Sequence, residues 1–318
     1  MGWFTIRRIG QALVTVAVVT IVTFGLLHLL PGGPARAILG ARATALQIQE
    51  FNRTNGFDQP LPVQYIRYIS QVVHGNLGFS YKLNQSVVSL LAERLPKTLL
   101  LTALSLLVAV LIGVPVGIVQ AVRRNGFADH VFTGAAFVLY GTPVFLLGLV
   151  LVAIFGVYAQ FFPAQAPQTG NVLSLLENWR VLVLPVFTLA GVTLATFTRY
   201  SRSSAIDVLG QDYIRTARAK GAPTLRIITR HVLRNACLPI VTMLGLYLPA
   251  LFGGALVVEY LYNFPGMGLL LWNAAQTRDY PVLLGVTLVV SLATVIGSLV
   301  VDLAYFGLDP RIRLRAGE

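Results

Sequence analysis

Six apolar stretches, each long enough to cross a bilayer, leave this chain few options. They cover residues 9–30, 98–122, 131–162, 181–199, 238–258 and 282–306, and about 20 apolar residues span the hydrocarbon core. The chain of 318 residues is 56% hydrophobic and only 11% charged, with a mean hydropathy of +0.74. Soluble domains carry roughly 25% charged residues. So small a polar surface cannot cover so much apolar surface in water. The expected fold class is all-α, a polytopic membrane protein of six transmembrane helices in a lipid bilayer.

Charge gives the expected orientation. The 24 Lys and Arg outnumber the 12 Asp and Glu, for a net charge of +12. In a soluble protein that excess would point to nucleic acid. Here the bases fall between apolar runs, and no nucleic acid is expected as a partner. Basic clusters occur at the N-terminus (Arg7, Arg8), in the second link (Arg123, Arg124), in the fourth link and in the tail (Arg311, Arg313, Arg315). Cationic loops stay on the cytoplasmic side. Both termini are therefore expected in the cytoplasm, and the long first link, 31–97, on the opposite side.

The first stretch follows two arginines as a signal peptide would, but it is 22 residues long and lacks an Ala-x-Ala site. A retained helix is expected. The single cysteine, Cys237, excludes a disulfide framework within the chain and reads as a packing residue. Pro115, Pro143, Pro185 and Pro249 lie in or near the stretches, where proline removes a helical hydrogen bond. Gly113 and Gly117 have the G-x-x-x-G spacing that lets helices approach closely.

The fourth link, 203–236, is the most informative. It holds Arg215, Arg218, Lys220, Arg226, Arg230 and Arg234, yet it reads as two short helices. Residues 207–220 favour a helix, and Gly221 suits the left-handed residue that closes one. Pro223 suits the first turn of the next helix. Leu225, Ile228 and Val232 predict an apolar stripe along that helix. A helix–glycine–helix elbow with such a stripe suits insertion into a groove on a partner. The alternative is a solvated basic loop beside anionic headgroups.

The run Asp212-Tyr-Ile-Arg-Thr-Ala-Arg-Ala-Lys-Gly221-Ala, continuing to Arg230-His-Val-Leu-Arg-Asn-Ala236, resembles the EAA loop of ABC-importer permeases. The likeness is to the dipeptide, oligopeptide and nickel group. Arg215, Thr216 and Ala217 then occupy the E-A-A positions, with Arg215 replacing the usual glutamate, and Gly221 is the motif glycine. Further segments are similar to the B-type, first permease subunit of that group. They are Leu26-Leu-His-Leu-Leu-Pro31-Gly-Gly-Pro-Ala35, Asn76-Leu-Gly-Phe-Ser80, Glu93-Arg-Leu-Pro-Lys-Thr-Leu99, Glu259-Tyr-Leu-Tyr-Asn-Phe-Pro-Gly-Met-Gly268, Thr277-Arg-Asp-Tyr-Pro-Val282 and Asp302-Leu-Ala-Tyr-Phe-Gly-Leu-Asp-Pro-Arg311.

The resemblance implies the ABC importer type I permease fold in the cytoplasmic (inner) membrane of a prokaryote. Residues 1–30 form a tail and first helix, 31–97 an extracytoplasmic segment, and 98–318 the core permease domain with its coupling loop. It implies a non-catalytic subunit supplying half of a pathway for di- or oligopeptides. The implied partners are a second homologous permease, two ABC ATPase subunits or domains, and an extracytoplasmic substrate-binding protein. The chain has no G-x-x-x-x-G-K-[ST] phosphate loop, so ATP and Mg are expected in the ATPase partners and no cofactor in this chain. Arg215, Thr216, Ala217, Gly221 and Ala222 are the expected ATPase-coupling residues.

Other candidates are sparser. Tyr140, Thr142, Thr193, Thr196, Thr242, Tyr247, Ser291 and Thr294 are hydroxyls within the stretches, and such groups mostly bond back to their own helix. Intramembrane ionisable residues are functional candidates. Of these, His28 reads as interfacial packing and Asp302 as an arginine partner. Glu259 is expected at the outer mouth, solvated or meeting a binding protein. His231 sits among arginines, with no H-E-x-x-H zinc motif or Ser/His/Asp set in view. The alternatives are a self-contained secondary transporter or channel, an intramembrane hydrolase and a non-transporting scaffold.

Overall fold

The computed structural model describes residues 2–29, 33–40, 42–80, 82–247 and 255–308. Pro249 and the terminal Arg311, Arg313 and Arg315 lie outside the described residues, as do the side chains of Cys237, Thr242 and Asp302. The chain forms two compact units. One comprises Met1–Thr98, Leu248–Leu256 and Pro265–Glu318; the other comprises Leu99–Tyr247 and Val257–Phe264.

In the first unit, α1 (Gly2–His28) packs along α15 (Tyr280–Leu308). Helix α1 begins ahead of the expected residue 9, because Arg7 and its neighbours carry no helix breaker. After α1 in the chain come α2 (Gly33–Leu39), α3 (Ala45–Asn55) and α4 (Leu61–Val73). Thr44 starts α3 with a capping box: its hydroxyl accepts from Gln47 N–H, and Gln47 Oε1 accepts from Thr44 N–H. Gly56, at φ 70°, ends it. A two-residue hairpin follows, β1 (Phe79–Ser80) against β2 (Gln85–Ser86), antiparallel with Phe79 opposite Ser86.

Helix α5 (Val87–Val122) then starts 36 residues of unbroken helix. The second stretch was expected to begin at residue 98, so the helix extends it backward through Glu93, Arg94 and Lys97. Charge hid this extension, yet Lys97 is 1% exposed and donates to Glu93 Oε1 at 3.1 Å, one turn away. The first core joins Val87, Leu90 and Leu91 to Met267, Leu270 and Ala274 of α14 (Met267–Thr277) and to Val282 and Val286 of α15.

The second unit carries the rest of α5, α6 (Phe127–Gly141) and α7 (Val144–Leu151), which continues as a π-helix over Val152–Tyr158. After α8 (Val172–Glu177) comes α9 (Arg180–Leu209), then α10 (Asp212–Ala219) and α11 (Thr224–Ile227). A π-helical turn, Ile228–Val232, leads into α12 (Leu233–Tyr247), and α13 (Leu256–Leu261) lies beyond the undescribed residues. Gly113 and Gly117 put the backbone of α5 directly on α9. A Cβ at Gly113 would lie 2.9 Å from the Leu194 carbonyl, and one at Gly117 would be 2.8 Å from Arg202 N and closer still to Ser201 Oγ.

The third stretch is not one continuous helix. Helices Phe127–Gly141 and Val144–Tyr158 meet at 109°. Pro143 explains the break: it disfavours helical geometry at Thr142, which is extended at φ −83°, ψ 125°. The helix stops at Tyr158, before the end of the stretch at residue 162.

Among the described residues, four helices are long and apolar enough to cross a membrane: α1, α5, α9 and α15. The bent pair makes five if it counts as one span. Residues 248–254 of the fifth stretch are not described.

Candidate functional site at the helix–glycine–helix elbow

Helix α9 runs ten residues beyond its expected end at 199, so the first part of the 203–236 link is a continuation of the spanning helix. Gly210 and Gln211 break it, and the expected helix over 207–220 is therefore α10 alone, from Asp212 to Ala219. Gln211 is extended at φ −75°, ψ 148°, which sets the new direction.

The end of α10 is a Schellman motif. Ala222 N–H donates to the Ala217 carbonyl at 3.1 Å and Gly221 N–H to the Arg218 carbonyl at 2.9 Å. Gly221 takes the left-handed conformation at φ 76°. Three expected coupling residues, Ala217, Gly221 and Ala222, are thus parts of one backbone device. Pro223 follows at φ −66°, ψ 149°, and caps α11 instead of occupying its first turn.

Packing fixes the elbow to the membrane helices. Ile214 is 0% exposed and Ile227 3%. They join Val232, Ala236 and Ile240 in a cluster with Val114, Ile118 and Ala121 of α5 and Ala205 of α9. Ala222 and Ile228 pack against the same cluster. The expected stripe is right at Ile228 and Val232 and wrong at Leu225, which is 73% exposed. The π turn over 228–232 inserts extra backbone and shifts the helical phase, so Ile227 takes the inward place.

Arg215 and Thr216 point outward. Arg215 pairs with exposed Asp212 at 3.5 Å, and the Thr216 hydroxyl donates to the Asp212 carbonyl at 3.0 Å. Arg218, Lys220, Arg226, Arg230 and Arg234 are exposed as well. The apex presents one leucine, an exposed Gly221 and a surround of cations. His231 is half-buried, with its ring 6.2 Å from that of Tyr213.

One group here escaped the sequence reading. Asp129, 3% exposed in the first turn of α6, receives Arg202 as a fork: Nε to Oδ1 and Nη2 to Oδ2, both at 2.8 Å. Asn125 N–H adds a 3.0 Å bond and the Thr133 hydroxyl one at 3.4 Å. The available signal was a lone acid opening an apolar stretch just after Arg123 and Arg124.

The other candidates resolve into structural roles. Glu259 is 0% exposed, so of the two alternatives expected for it the solvated one does not hold. Its carbonyl accepts from Phe264 N–H at 2.7 Å, and Tyr262 donates to the Gly148 carbonyl at 3.2 Å. Thr142, Thr196 and Thr294 each bond back to their own helix at i−4. His28 is held between the Phe24 carbonyl and the Gln64 side chain, at 2.9 and 2.8 Å. Among the described residues no group of three or more His, Cys, Asp or Glu is placed to hold a metal ion.

Known proteins resemble this chain in sequence along nearly its whole length. Residues 113–314 match the family described as binding-protein-dependent transport system inner membrane component, and residues 1–102 match the N-terminal model of the same system. A Brucella ovis protein bearing the name of a peptide permease is 41% identical over 315 residues, 98% of this chain and 99% of that protein. The oligopeptide transport system permease protein AppB of Bacillus subtilis is 36% identical over 314 residues, 98% of this chain and 99% of its own length. The glutathione transport system permease protein GsiC of Escherichia coli is 38% identical over 312 residues, with the same coverage. This chain therefore belongs to the family of inner membrane permease components of binding-protein-dependent ABC transport systems.

Proposed function

We propose that this chain is the B-type permease subunit of a peptide importer, supplying half of the pathway beside a second homologous permease. Peptide is favoured because relatives covering nearly the whole chain carry peptide, oligopeptide and glutathione permease names. Two ABC ATPase subunits or domains, using ATP and Mg, drive it, and an extracytoplasmic binding protein delivers the substrate. The chain crosses the cytoplasmic membrane of a prokaryote six times with both termini inside. The alternation of basic and base-poor links supports that topology.

The observation that carries this reading is the elbow. A leucine 73% exposed at its apex, amid exposed arginines, suits a partner groove with an apolar floor and an acidic rim. Arg215, Thr216, Ala217, Gly221 and Ala222 form the coupling element. Ala217, Gly221 and Ala222 hold its shape, while Arg215 and Thr216 face the ATPase. ATP binding shifts the permease by contacting one of its conformations better than the other, and the apolar cluster under Ile214 and Ile227 passes that bias to α5, α9 and α12.

The test is Leu225→Asp in the full complex. Its membrane level should be unchanged, because Leu225 packs on nothing in the chain's core. ATPase co-purification and uptake of a labelled dipeptide should fall at least tenfold, corresponding to a loss of about 1.4 kcal/mol. Gly221→Val, which forces a β-branched residue into left-handed geometry at about 1–2 kcal/mol, should act in the same direction. Normal association and uptake in both variants would overturn the assignment.

A further inference from the structure

Helix α4 is apolar on two sides. Its inner side meets α1: Tyr65 OH bonds Thr20 Oγ1 at 2.9 Å, and Gln64 Oε1 lies 2.8 Å from His28 Nε2. Phe24 meets Tyr65 and Tyr68 with ring centroids 5.4 and 5.9 Å apart. Its outer side carries Val63, Ile66 and Val73, exposed by 45%, 69% and 76%. Their spacing of i, i+3 and i+10 forms one stripe along the helix. Neighbouring α3 differs in having no such stripe: it exposes a single large apolar side chain, Leu46, among Gln47, Gln49, Glu50, Arg53 and Thr54. A cap bathed in water on both helices would have no reason for the difference.

Depth supplies the reason. The apolar span of α1 covers Ile9–Leu26, and Thr20 lies six residues inside its end, roughly 9 Å at 1.5 Å per residue. The hydroxyl of Tyr65 therefore reaches alongside the span instead of resting above it. Tyr65, Tyr68 and Phe24 form the kind of aromatic group that settles at a membrane–water boundary. Burial, with Tyr65 nearby, pushes the Tyr68 phenol up to about 12, so it stays neutral. Val18, Ile21 and Val22 on α1 are likewise apolar and more than half exposed.

We infer that α4 is an interfacial helix, lying in the leaflet that holds the C-terminal end of α1, with Val63, Ile66 and Val73 in contact with lipid acyl chains. Amphipathic helices bind in this way, with the apolar side at the boundary between headgroups and chains. The lipid surface is the occupant because Tyr65 bonds α1 inside its apolar span, a depth at which an exposed apolar side chain meets acyl chains. Helix α4 thereby sets the depth and tilt of α1 as well as capping it.

Nitroxide labels test this in the complete transporter in lipid nanodiscs. Cysteines replace Val63, Ile66 and Val73 singly, in a Cys237→Ala background. Val18→Cys on α1 reports lipid and Glu50→Cys on α3 reports water. Membrane-soluble oxygen should relax the three α4 labels several-fold more than a water-soluble nickel chelate does, as at Val18, with the reverse at Glu50. Labels on α4 that respond like Glu50 would overturn the inference. So would labels shielded from both reagents, which would mean that another subunit covers the stripe. A Val18 label open to the chelate would instead overturn the seating of α1 itself, so the two failures are separable.

Discussion

Arg202 reaches Asp129 through two 2.8 Å bonds, and it stands on α9 just before the helix leaves for the elbow. The acid is almost fully buried while the arginine side chain is 30% exposed. The pair thus lies between a surface bridge, about 0–1 kcal/mol, and a buried one whose disruption costs about 3–5 kcal/mol. Asp129→Leu or Arg202→Met alone should each lower stability by about 2 kcal/mol, measured by thermal unfolding of the detergent-solubilised chain. The double variant should recover a large part of that loss. Strictly additive effects would show that the pair does not act as a unit. Sequence could not pair these residues, 73 positions apart, because pairing depends on how α6 and α9 pack. Gly221 was legible for the opposite reason: a left-handed cap is decided within six residues.

At the scale of elements, Gly113 and Gly117 decide how closely α5 and α9 cross. Gly117→Val should drive the helices apart and reduce folded protein in the membrane severely, since a Cβ there meets Ser201 Oγ and the Thr198 carbonyl. Gly113→Ala meets a carbonyl at 2.9 Å and a side-chain atom at 3.2 Å and should do less, lowering unfolding temperature with assembly retained; quantitative immunoblotting and thermal unfolding separate the two. The G-x-x-x-G spacing was readable, but not that α9 was the partner. The break at Thr142–Pro143 was missed because membrane bundles accommodate proline by several routes, and sequence does not say whether a kink or a full break results. The Leu225 error has a similar origin. A π turn changes the phase of every residue after it, and no residue type announces one.

On the scale of the whole molecule, the segments that carried the family resemblance hold one another. Ser80, from 76–80, bonds Asp279, from 277–282; Thr98, from 93–99, accepts from Met267 N–H at 2.8 Å. Distant signatures are therefore paired fastenings, which is why they could be recognised individually without revealing what they do. Bilayer residence was legible from hydropathy and charge, whereas the substrate path was not, since hydroxyls that merely satisfy their own helix look identical in sequence. The unbroken course of α9 from Arg180 to Leu209 has one more consequence. It makes the bearing of the elbow an angular quantity, set by counting residues. A single alanine inserted between Ser203 and Leu209 should turn everything beyond it by about 100° around the helix axis, while seven should return it to within about 20°. Uptake and ATPase co-purification should be abolished by the first; the second restores the bearing but, at 1.5 Å per residue, carries the elbow about 10 Å off its apolar seat on α5, and should restore neither.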